Sequence, residues 1–330
     1  MRPAPFAAVV LCAALGLSHA GHTQGDAPKL AFPMACEIGR SCEIQHYVDR
    51  DPGPGLLDYR CGHRTEPQHD GVDIRLLDMV AQRAGVDVLA AVPGRVVAVR
   101  DGVPDISIRA PNAPSIAGRM CGNRVAIGFG RGWILDYCHL AQGSLKVKVG
   151  DLVTTGQPLA RVGLSGDTEF PHLHFSVRHD NLVVDPFAPA VLTGCGTQGA
   201  PLWTPAAASL MAYKRGVVLN AGFSSAMVDD AAIENRAISA VDPAAPILVA
   251  YARLIGLEQG DVIAIAIEGP DGKAIATGTL PPLASNRDQV PAQLAHKRPP
   301  QGWARGVYTG VLQVRRAGTV ALAHRWQITL

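Results

Sequence analysis

The sequence predicts a mainly β protein with two domains. Its 330 residues exceed what one hydrophobic core usually organises, and 48% of them are apolar, which is enough for well-buried cores. Glycine (35 residues) and proline (25 residues) are frequent, whereas charged residues make up only 18% of the chain. This mixture favours turn-rich β structure over helical bundles.

The first twenty residues are predicted to be a secretory signal peptide. Arg2 is followed by an apolar run of 11 residues, Ala7 to Leu17, which is too short to span a bilayer. Ser18-His19-Ala20 fits the small-x-small cleavage rule, and polar residues follow at once. A membrane anchor or a buried strand is the alternative. We therefore expect an exported chain, periplasmic or secreted, with no transmembrane segment after cleavage.

The charge balance argues against a nucleic-acid partner. Removal of the signal peptide removes one basic residue, Arg2, and leaves 29 basic and 28 acidic side chains. The sequence has no basic block and no alternation of aromatic and basic residues, so no nucleic acid or other polyanion is expected as a partner.

Six cysteines follow the predicted signal peptide, and an even number in an exported protein predicts three disulfides, with fifteen possible pairings. One pairing can be argued from the chain. Residues 125–129 and 133–137 predict a hairpin, which brings Cys121 and Cys138 to the same end of two neighbouring strands. Zinc–thiolate ligation is the competing use of cysteine, but no Cys-x-x-Cys occurs.

Residues 21–60 show little periodicity and are predicted to be an irregular, disulfide-tied lead segment. Residues 61–192 are predicted to be a compact antiparallel β domain. Only Leu76 to Ala84 in this range has helical spacing, with Gly85 as its C-cap. Short β-branched runs that predict strands lie at residues 88–92, 95–99, 145–149, 159–162 and 174–178.

Residues 193–205 are predicted to be a linker, because they contain a stretch rich in glycine and polar residues. Residues 206–330 contain five or more alternating runs, and residues 269–272 (Gly-Pro-Asp-Gly) between two of them predict a hairpin turn. The pattern predicts a β-sandwich of immunoglobulin-like shape. Residues 281–302 are predicted to form a proline-rich polar loop.

Three short segments of the sequence contain five potential metal-site residues. In an extended strand His69 and Asp73 share a face, with Gly71 leaving space between them, and so do His172 and His174. Imidazole and carboxylate donors suit zinc. Spacing alone leaves open which member of the second pair is a ligand and which is free for proton chemistry. The segments are His69-Asp70-Gly71-Val72-Asp73, Tyr137-Cys138-His139-Leu140 and Pro171-His172-Leu173-His174-Phe175.

In this order the segments resemble the lysostaphin/LytM-type zinc endopeptidases, which cut peptidoglycan peptides. The family pattern is His-x-Gly-x-Asp, Tyr-x-His-Leu, Gly-Asp-x-Val-x-x-Gly-Gln and Pro-His-Leu-His-Phe. It is matched by residues 69–73, 137–140, 150–157 and 171–175. The resemblance spans about residues 66–187. It implies an antiparallel LytM-like sheet, the duplicated hybrid motif, with a groove on one face.

The resemblance also implies one zinc ion held by His69, Asp73 and His174, with His139 and His172 as unligated catalytic histidines. Its substrate would be a peptidoglycan peptide. The C-terminal domain, which the resemblance does not cover, is expected to bind the cell wall or a protein partner. Two departures from the family pattern put substrate choice in doubt. Phe170 stands where glycine is usual, and the stretch at residues 76–85 is longer than the usual turn.

Three other functions compete with this one. A catalytically idle relative would bind wall peptide and activate another hydrolase, but such proteins lose ligand or catalytic histidines, and all five residues are present here. A biotinyl or lipoyl carrier domain, suggested by residues 147–159, needs a lysine at a hairpin tip that this stretch lacks. A serine hydrolase would need glycine, not Asp167, at the fifth position of residues 163–167.

Overall fold

The computed structural model describes residues 27–190, 194–197 and 199–330. The predicted signal peptide at residues 1–20 lies outside the described residues. Within the described ranges every helix has six residues, and none is long and apolar enough to cross a membrane.

The first domain is built on one antiparallel sheet, so the predicted fold class is confirmed here. The strand order across the sheet is β1-β2-β9-β6-β5-β4-β7, with β10 paired to β9, while β3 and β8 form a separate two-stranded sheet. The elements are β1 (Cys42–His46), β2 (Val72–Leu76), α1 (Met79–Ala84), β3 (Asp87–Leu89), β4 (Gly94–Arg100), β5 (Asn123–Gly130), β6 (Trp133–Leu140), β7 (Leu152–Val153), β8 (Pro158–Arg161), β9 (His172–His179) and β10 (Leu182–Val183).

Strand β9 shows how the sequence sets the two faces of this sheet. Leu173, Phe175 and Val177 are fully buried in the hydrophobic core. Because side chains alternate along a strand, His172 and His174 lie on the opposite face, as predicted.

Helix α1 confirms the predicted helical stretch in its second half. Leu76 ends strand β2, and the helix begins after Asp78, whose side chain accepts a hydrogen bond from the Ala81 backbone N–H at 2.8 Å. It ends at Gly85, where φ is 85°. The strand predicted at residues 145–149 is wrong, because that segment is irregular.

Three disulfides are present, as the even number of cysteines predicted. Cys121–Cys138 joins the ends of the β5–β6 hairpin, which confirms the pairing argued from the sequence. The other two bridges are Cys36–Cys42 and Cys61–Cys195.

The second domain consists of two antiparallel sheets. One has the order β11-β12-β15 and the other β14-β13-β16-β17, and their apolar faces enclose two buried clusters. The predicted hairpin turn at residues 269–272 joins β13 to β14. The finer description as immunoglobulin-like stays a prediction. The remaining elements of the chain are α2 (Pro205–Leu210), which packs on the core of the first domain, β11 (Val217–Ser224), α3 (Asp230–Asn235), β12 (Ile247–Leu257), β13 (Val262–Glu268), β14 (Ala274–Thr279), β15 (Arg287–Lys297), β16 (Val307–Arg316) and β17 (Thr319–Thr329).

Two features of this region differ from expectation. The loop predicted at residues 281–302 is wrong, because strand β15 occupies its centre as the edge strand of the smaller sheet. In addition, the core of the first domain extends past residue 200 to include Trp203 and Met211. The domain limits at residues 193–205 and 206–330 stay a prediction.

The two domains meet through charged groups, of which Arg75, Arg253 and Asp78 are buried. Arg75 of β2 donates to the Glu234 carboxylate of α3 at 3.1 Å, and Arg253 of β12 pairs with the same carboxylate. Arg236 donates to the Asp78 carboxylate at 2.6 Å. These contacts place α3 and the start of β15 beside the histidine-bearing face of the first sheet.

Candidate metal centre

Sheet register places two of the predicted residues, Asp73 and His174, in one row across four strands. His46 of β1 lies opposite Asp73 of β2, Asp73 lies opposite His174 of β9, and His174 lies opposite Cys138 of β6. His139 follows Cys138 directly. Residues from segments far apart in sequence therefore meet on one face of the sheet.

Three of the predicted residues form a tight donor cluster. The Nε2 atom of His69 lies 3.1 Å from Nδ1 of His174 and 3.1 Å from Oδ2 of Asp73. Nδ1 of His174 lies 3.0 Å from Oδ1 of Asp73. Tetrahedral zinc with bonds of roughly 2.0–2.1 Å separates neighbouring donors by about 3.3–3.4 Å. The cluster is within a few tenths of an ångström of that geometry, so its donor set fits a zinc ion.

The second nitrogen of each ring in this cluster is tied to an oxygen. Nδ1–H of His69 donates to the Tyr47 carbonyl at 2.8 Å, and Nε2–H of His174 donates to the Asp70 carboxylate at 3.0 Å. Asp70 is also paired with Arg178. Such hydrogen bonds orient the rings and direct the facing nitrogens to the place that a metal would occupy.

His139 and His172 complete the predicted set. Their rings lie 4.6 Å apart, and Nε2 of His172 is 3.4 Å from the Asp73 carboxylate. Nδ1–H of His139 donates to the Ser165 carbonyl at 2.8 Å, and Nδ1–H of His172 donates to the Phe170 carbonyl at 3.0 Å. In both rings Nε2 is the nitrogen left for chemistry.

The backbone of His139 is held in the left-handed region, with φ of 58°. Its N–H donates to the Cys121 carbonyl and its carbonyl accepts from Gly163, each at 2.9 Å. The disulfide at Cys138 secures the preceding residue. Non-glycine residues in this conformation are uncommon and concentrate at functional sites, where the surrounding structure holds them in place.

Gly71 is required for a reason other than the one expected. A side chain there would place Cβ 2.6 Å from Nε2 of His174 and 2.8 Å from the Phe175 carbonyl oxygen. The absent side chain makes room for the His174 ring rather than directly for an ion.

Burial and neighbouring charges set the protonation of this cluster. Burial alone would raise the pKa of Asp73, but His69 and His172 hold that pKa well below its usual range. Burial, followed by the nearby His172 and His174, holds the pKa of His139 well below its usual range. Asp73 therefore stays anionic and His139 stays neutral near neutral pH.

His46 is the principal site residue that sequence reasoning missed, since it looked like an ordinary polar residue. It is 1% exposed, and its Nδ1–H donates to Oδ2 of Asp73 at 3.1 Å. Its Nε2 faces Asp288 of the second domain at 3.5 Å. Burial alone would lower the pKa of His46, but Asp288 and Asp73 raise it to about 9. Only the pairing of β1 with β2 reveals this contact, and nothing local in the sequence marks it.

Both departures from the family pattern lie at the contact between the domains. The Phe170 ring lies 4.1 Å beneath the guanidinium of Arg75, which pairs with Glu234 of the second domain. Asp78, in the longer stretch after β2, pairs with Arg236. These residues hold the second domain in place beside the site.

Two cavities flank the cluster. One of about 520 Å³ is lined by His69, His139 and His174, among others. The other, of about 1030 Å³, lies between the domains and is lined by His46, Phe170 and Asp288, among others. An extended chain lying across the cluster would have space on both sides.

Known proteins are similar to the part of the chain that contains the five predicted site residues. Residues 67–186 match the sequence profile of Peptidase family M23. The cell division protein DipM of Caulobacter vibrioides is 29% identical over 125 residues, which are 38% of this chain and 17% of DipM. The chain thus spans less than a fifth of the length of this curated relative.

Solved structures are similar over about half of the chain. A zinc-containing peptidase from Vibrio cholerae is 26% identical, with 43% of this chain and 38% of that one covered and a TM-score of 0.28. The catalytic domain of lysostaphin from Staphylococcus simulans is 21% identical, with 44% and 88% covered and a TM-score of 0.29. The EnpA catalytic domain from Enterococcus faecalis is 21% identical, with 50% and 98% covered and a TM-score of 0.32.

Proposed function

We propose that this chain, whose residues 67–186 belong to peptidase family M23 as the motif order predicted, is a zinc endopeptidase that hydrolyses peptide cross-links of bacterial peptidoglycan. The observation that carries the proposal is the convergence of three donors within 3.0–3.1 Å of one another, beside two further histidines. His69, Asp73 and His174 would hold the metal. Three protein ligands leave a coordination position for substrate or water, as catalytic zinc sites require.

The chemistry divides between the metal and the two remaining histidines. When bound, zinc supplies Lewis acidity that activates water as a nucleophile and polarises the scissile carbonyl. The rings of His139 and His172 lie 4.6 Å apart beside the cluster, so one would accept the proton of the attacking water while the other would donate to the developing oxyanion. The lowered pKa of His139 keeps its Nε2 available as a proton acceptor.

The proposal also covers the substrate and the cellular location of the protein. Peptidoglycan peptides are proposed from the family, and the cavities on both sides of the cluster suit an extended chain. Export is proposed from the predicted signal peptide and the three disulfides, which form in oxidising compartments. N-terminal sequencing of the protein recovered from the periplasm or medium should begin at Gly21.

The decisive experiment removes one proposed ligand. His174→Ala is expected to lose bound zinc, measured by elemental analysis of the purified protein. It should also lose release of peptide fragments from purified sacculi, measured by mass spectrometry. His179→Ala is the matched control, because His179 lies on the same strand but stacks on Trp133 away from the cluster.

The outcomes separate the competing functions. Wild-type cutting by His174→Ala would refute the ligand assignment. A wild-type protein that binds zinc but releases no fragments from sacculi of any cross-link type would favour the idle, activating relative. The masses of the released fragments would identify the bond that is cut.

A further inference from the structure

A second group of metal-binding side chains lies beside the proposed catalytic site and includes none of its ligands. His46, Glu66 and Asp288 each offer a donor atom, and these atoms lie within 4.8 Å of one another. They come from strand β1, from the loop before β2 and from strand β15 of the second domain. The group therefore bridges the two domains.

The buried nitrogen of His46 points to a ligand at this place. Nε2 is buried and makes no hydrogen bond among the described residues, and its ion-pair partner Asp288 lies 3.5 Å away. Nδ1–H of the same ring donates to the Asp73 carboxylate at 3.1 Å. A carboxylate that accepts from one ring nitrogen and thereby directs the other outward is the usual arrangement of a metal-binding histidine.

Two carboxylates beside the His46 ring are available for a cation, and one of them, Asp288, faces Nε2. Oδ1 of Asp288 lies 3.5 Å from Nε2 of His46, close to the roughly 3.4 Å between two donors of a tetrahedral zinc ion. Oε1 of Glu66 lies 3.5 Å from the Nδ1 atom of the same ring. Within the described ranges neither carboxylate has an ion-pair partner other than His46. Their side chains are 53% and 60% exposed, so a metal can reach them from solvent.

The position of Asp288 is fixed by its backbone. The side-chain amide N–H of Gln45 donates to the Asp288 carbonyl at 3.1 Å, and Arg75 donates to the Gln289 side chain at 3.2 Å. Asp288 is therefore held against β1 by contacts that do not involve its carboxylate. The backbone that carries this donor is consequently in place before any cation arrives.

We propose that His46, Glu66 and Asp288 form a second divalent-cation site, distinct from the proposed catalytic one, in which a zinc ion joins the C-terminal domain to the peptidase sheet. The one imidazole and two carboxylates carry the charge and donor types that suit zinc. A bound ion would stabilise the docked arrangement of the domains, because it binds only when both contribute ligands.

The experiment counts zinc ions and identifies which residues hold each of them. The metal-free full chain is titrated with zinc alone by calorimetry, and the stoichiometry is confirmed by elemental analysis after dialysis. The wild-type chain is expected to bind two zinc ions. Asp288→Asn and Glu66→Gln are each expected to bind one, and His174→Ala should retain the second. Asp271→Asn, an exposed aspartate of the same domain, is the control that should keep both.

A second readout tests the bridging role. Zinc should still raise the unfolding temperature of His174→Ala, and this increase should disappear in the double variant His174→Ala/Asp288→Asn. Two zinc ions retained by both Asp288→Asn and Glu66→Gln would overturn the inference. So would a wild-type chain that binds one ion and loses it in His174→Ala. A wild-type chain that binds one ion, keeps it in His174→Ala and loses it in Asp288→Asn would instead support this site and refute the catalytic one.

Discussion

Asp73 and Arg75 lie two residues apart on one face of strand β2, and both are almost completely buried, yet their surroundings differ in kind. Arg75 donates to Gln45, Gln289 and Glu234 at 3.1–3.2 Å and packs on the Phe170 ring. Its hydrogen-bonding capacity is used by the protein itself, and its partners belong to the domain interface.

Asp73 is surrounded by ring nitrogens that converge on one small space. Nε2 of His69 and Nδ1 of His174 each lie within 3.1 Å of its carboxylate, while the other nitrogen of each ring is bonded to an oxygen outside this cluster. Buried polar groups are normally satisfied within the fold. Ring nitrogens that converge on a buried carboxylate therefore indicate a place for a cation, whereas the network around Arg75 indicates a structural contact. Variants of residues near Asp73 and of residues near Arg75 should separate activity from stability.

The largest expected effect is on the Asp73 side. His139→Asn should lower hydrolysis of sacculi by about 10²- to 10⁴-fold, because asparagine cannot replace the proton acceptor. Asparagine tolerates the positive φ of this position better than most residues, so the fold should be kept. Zinc content and unfolding temperature should match the wild type. If the variant also lost its zinc, or if its unfolding temperature fell enough to explain the lost activity, a purely catalytic role would be contradicted.

The opposite result is expected on the Arg75 side. Glu234→Ala leaves the buried guanidinium groups of Arg75 and Arg253 without their carboxylate, which should lower the free energy of unfolding by about 3–5 kcal/mol in urea denaturation. Zinc bound at the His69 cluster should be retained. Glu268→Ala breaks an exposed pair with Arg325 and should cost less than about 1 kcal/mol. If Glu234→Ala lowered the free energy of unfolding by no more than Glu268→Ala does, the interface network would not stabilise the protein.

The sequence predicted those parts of the site that depend on local geometry. Strand alternation correctly placed His172 and His174 on one face with Leu173 and Phe175 in the core. The hairpin at residues 125–137 correctly paired Cys121 with Cys138. In each case the information lies within a few residues, or within one turn, of the feature predicted.

Contacts set by distant pairing could not be predicted in this way. His46 meets Asp73 only because β1 lies at the edge of the sheet next to β2, across an irregular register. Strand β15 was missed because Pro291 and its polar neighbours resemble a loop. Proline is tolerated there because β15 is an edge strand. Asp288 lies near His46 only because β1 pairs with β2 and because β15 is a strand, so the sequence did not predict this contact.

A smaller effect tests the hydrogen bonds that orient the proposed ligands. Asp70→Asn removes the charge that accepts from Nε2–H of His174, and such changes typically weaken metal binding by about 10- to 100-fold. Competition with a chelator would measure the zinc dissociation constant of the cluster. Asp180→Asn, whose side chain is 75% exposed, is the control and should leave that constant unchanged. An unchanged constant for Asp70→Asn would mean that the His174 ring is held by packing alone.

The smallest expected difference is between variants that lack one of two disulfides, Cys121–Cys138 or Cys36–Cys42. It again separates effects on activity from effects on stability. Chain entropy predicts that replacing both cysteines by alanine costs about 3 kcal/mol for Cys121–Cys138, with 17 residues of separation, and about 2 kcal/mol for Cys36–Cys42, with 6. Urea denaturation should therefore separate the two variants by only about 1 kcal/mol. Hydrolysis should separate them further, because Cys138 precedes His139, whose carbonyl and N–H are both fixed. If both variants lose the same fraction of activity under conditions where they stay folded, the bridge beside His139 supports the fold and does not position the catalytic ring.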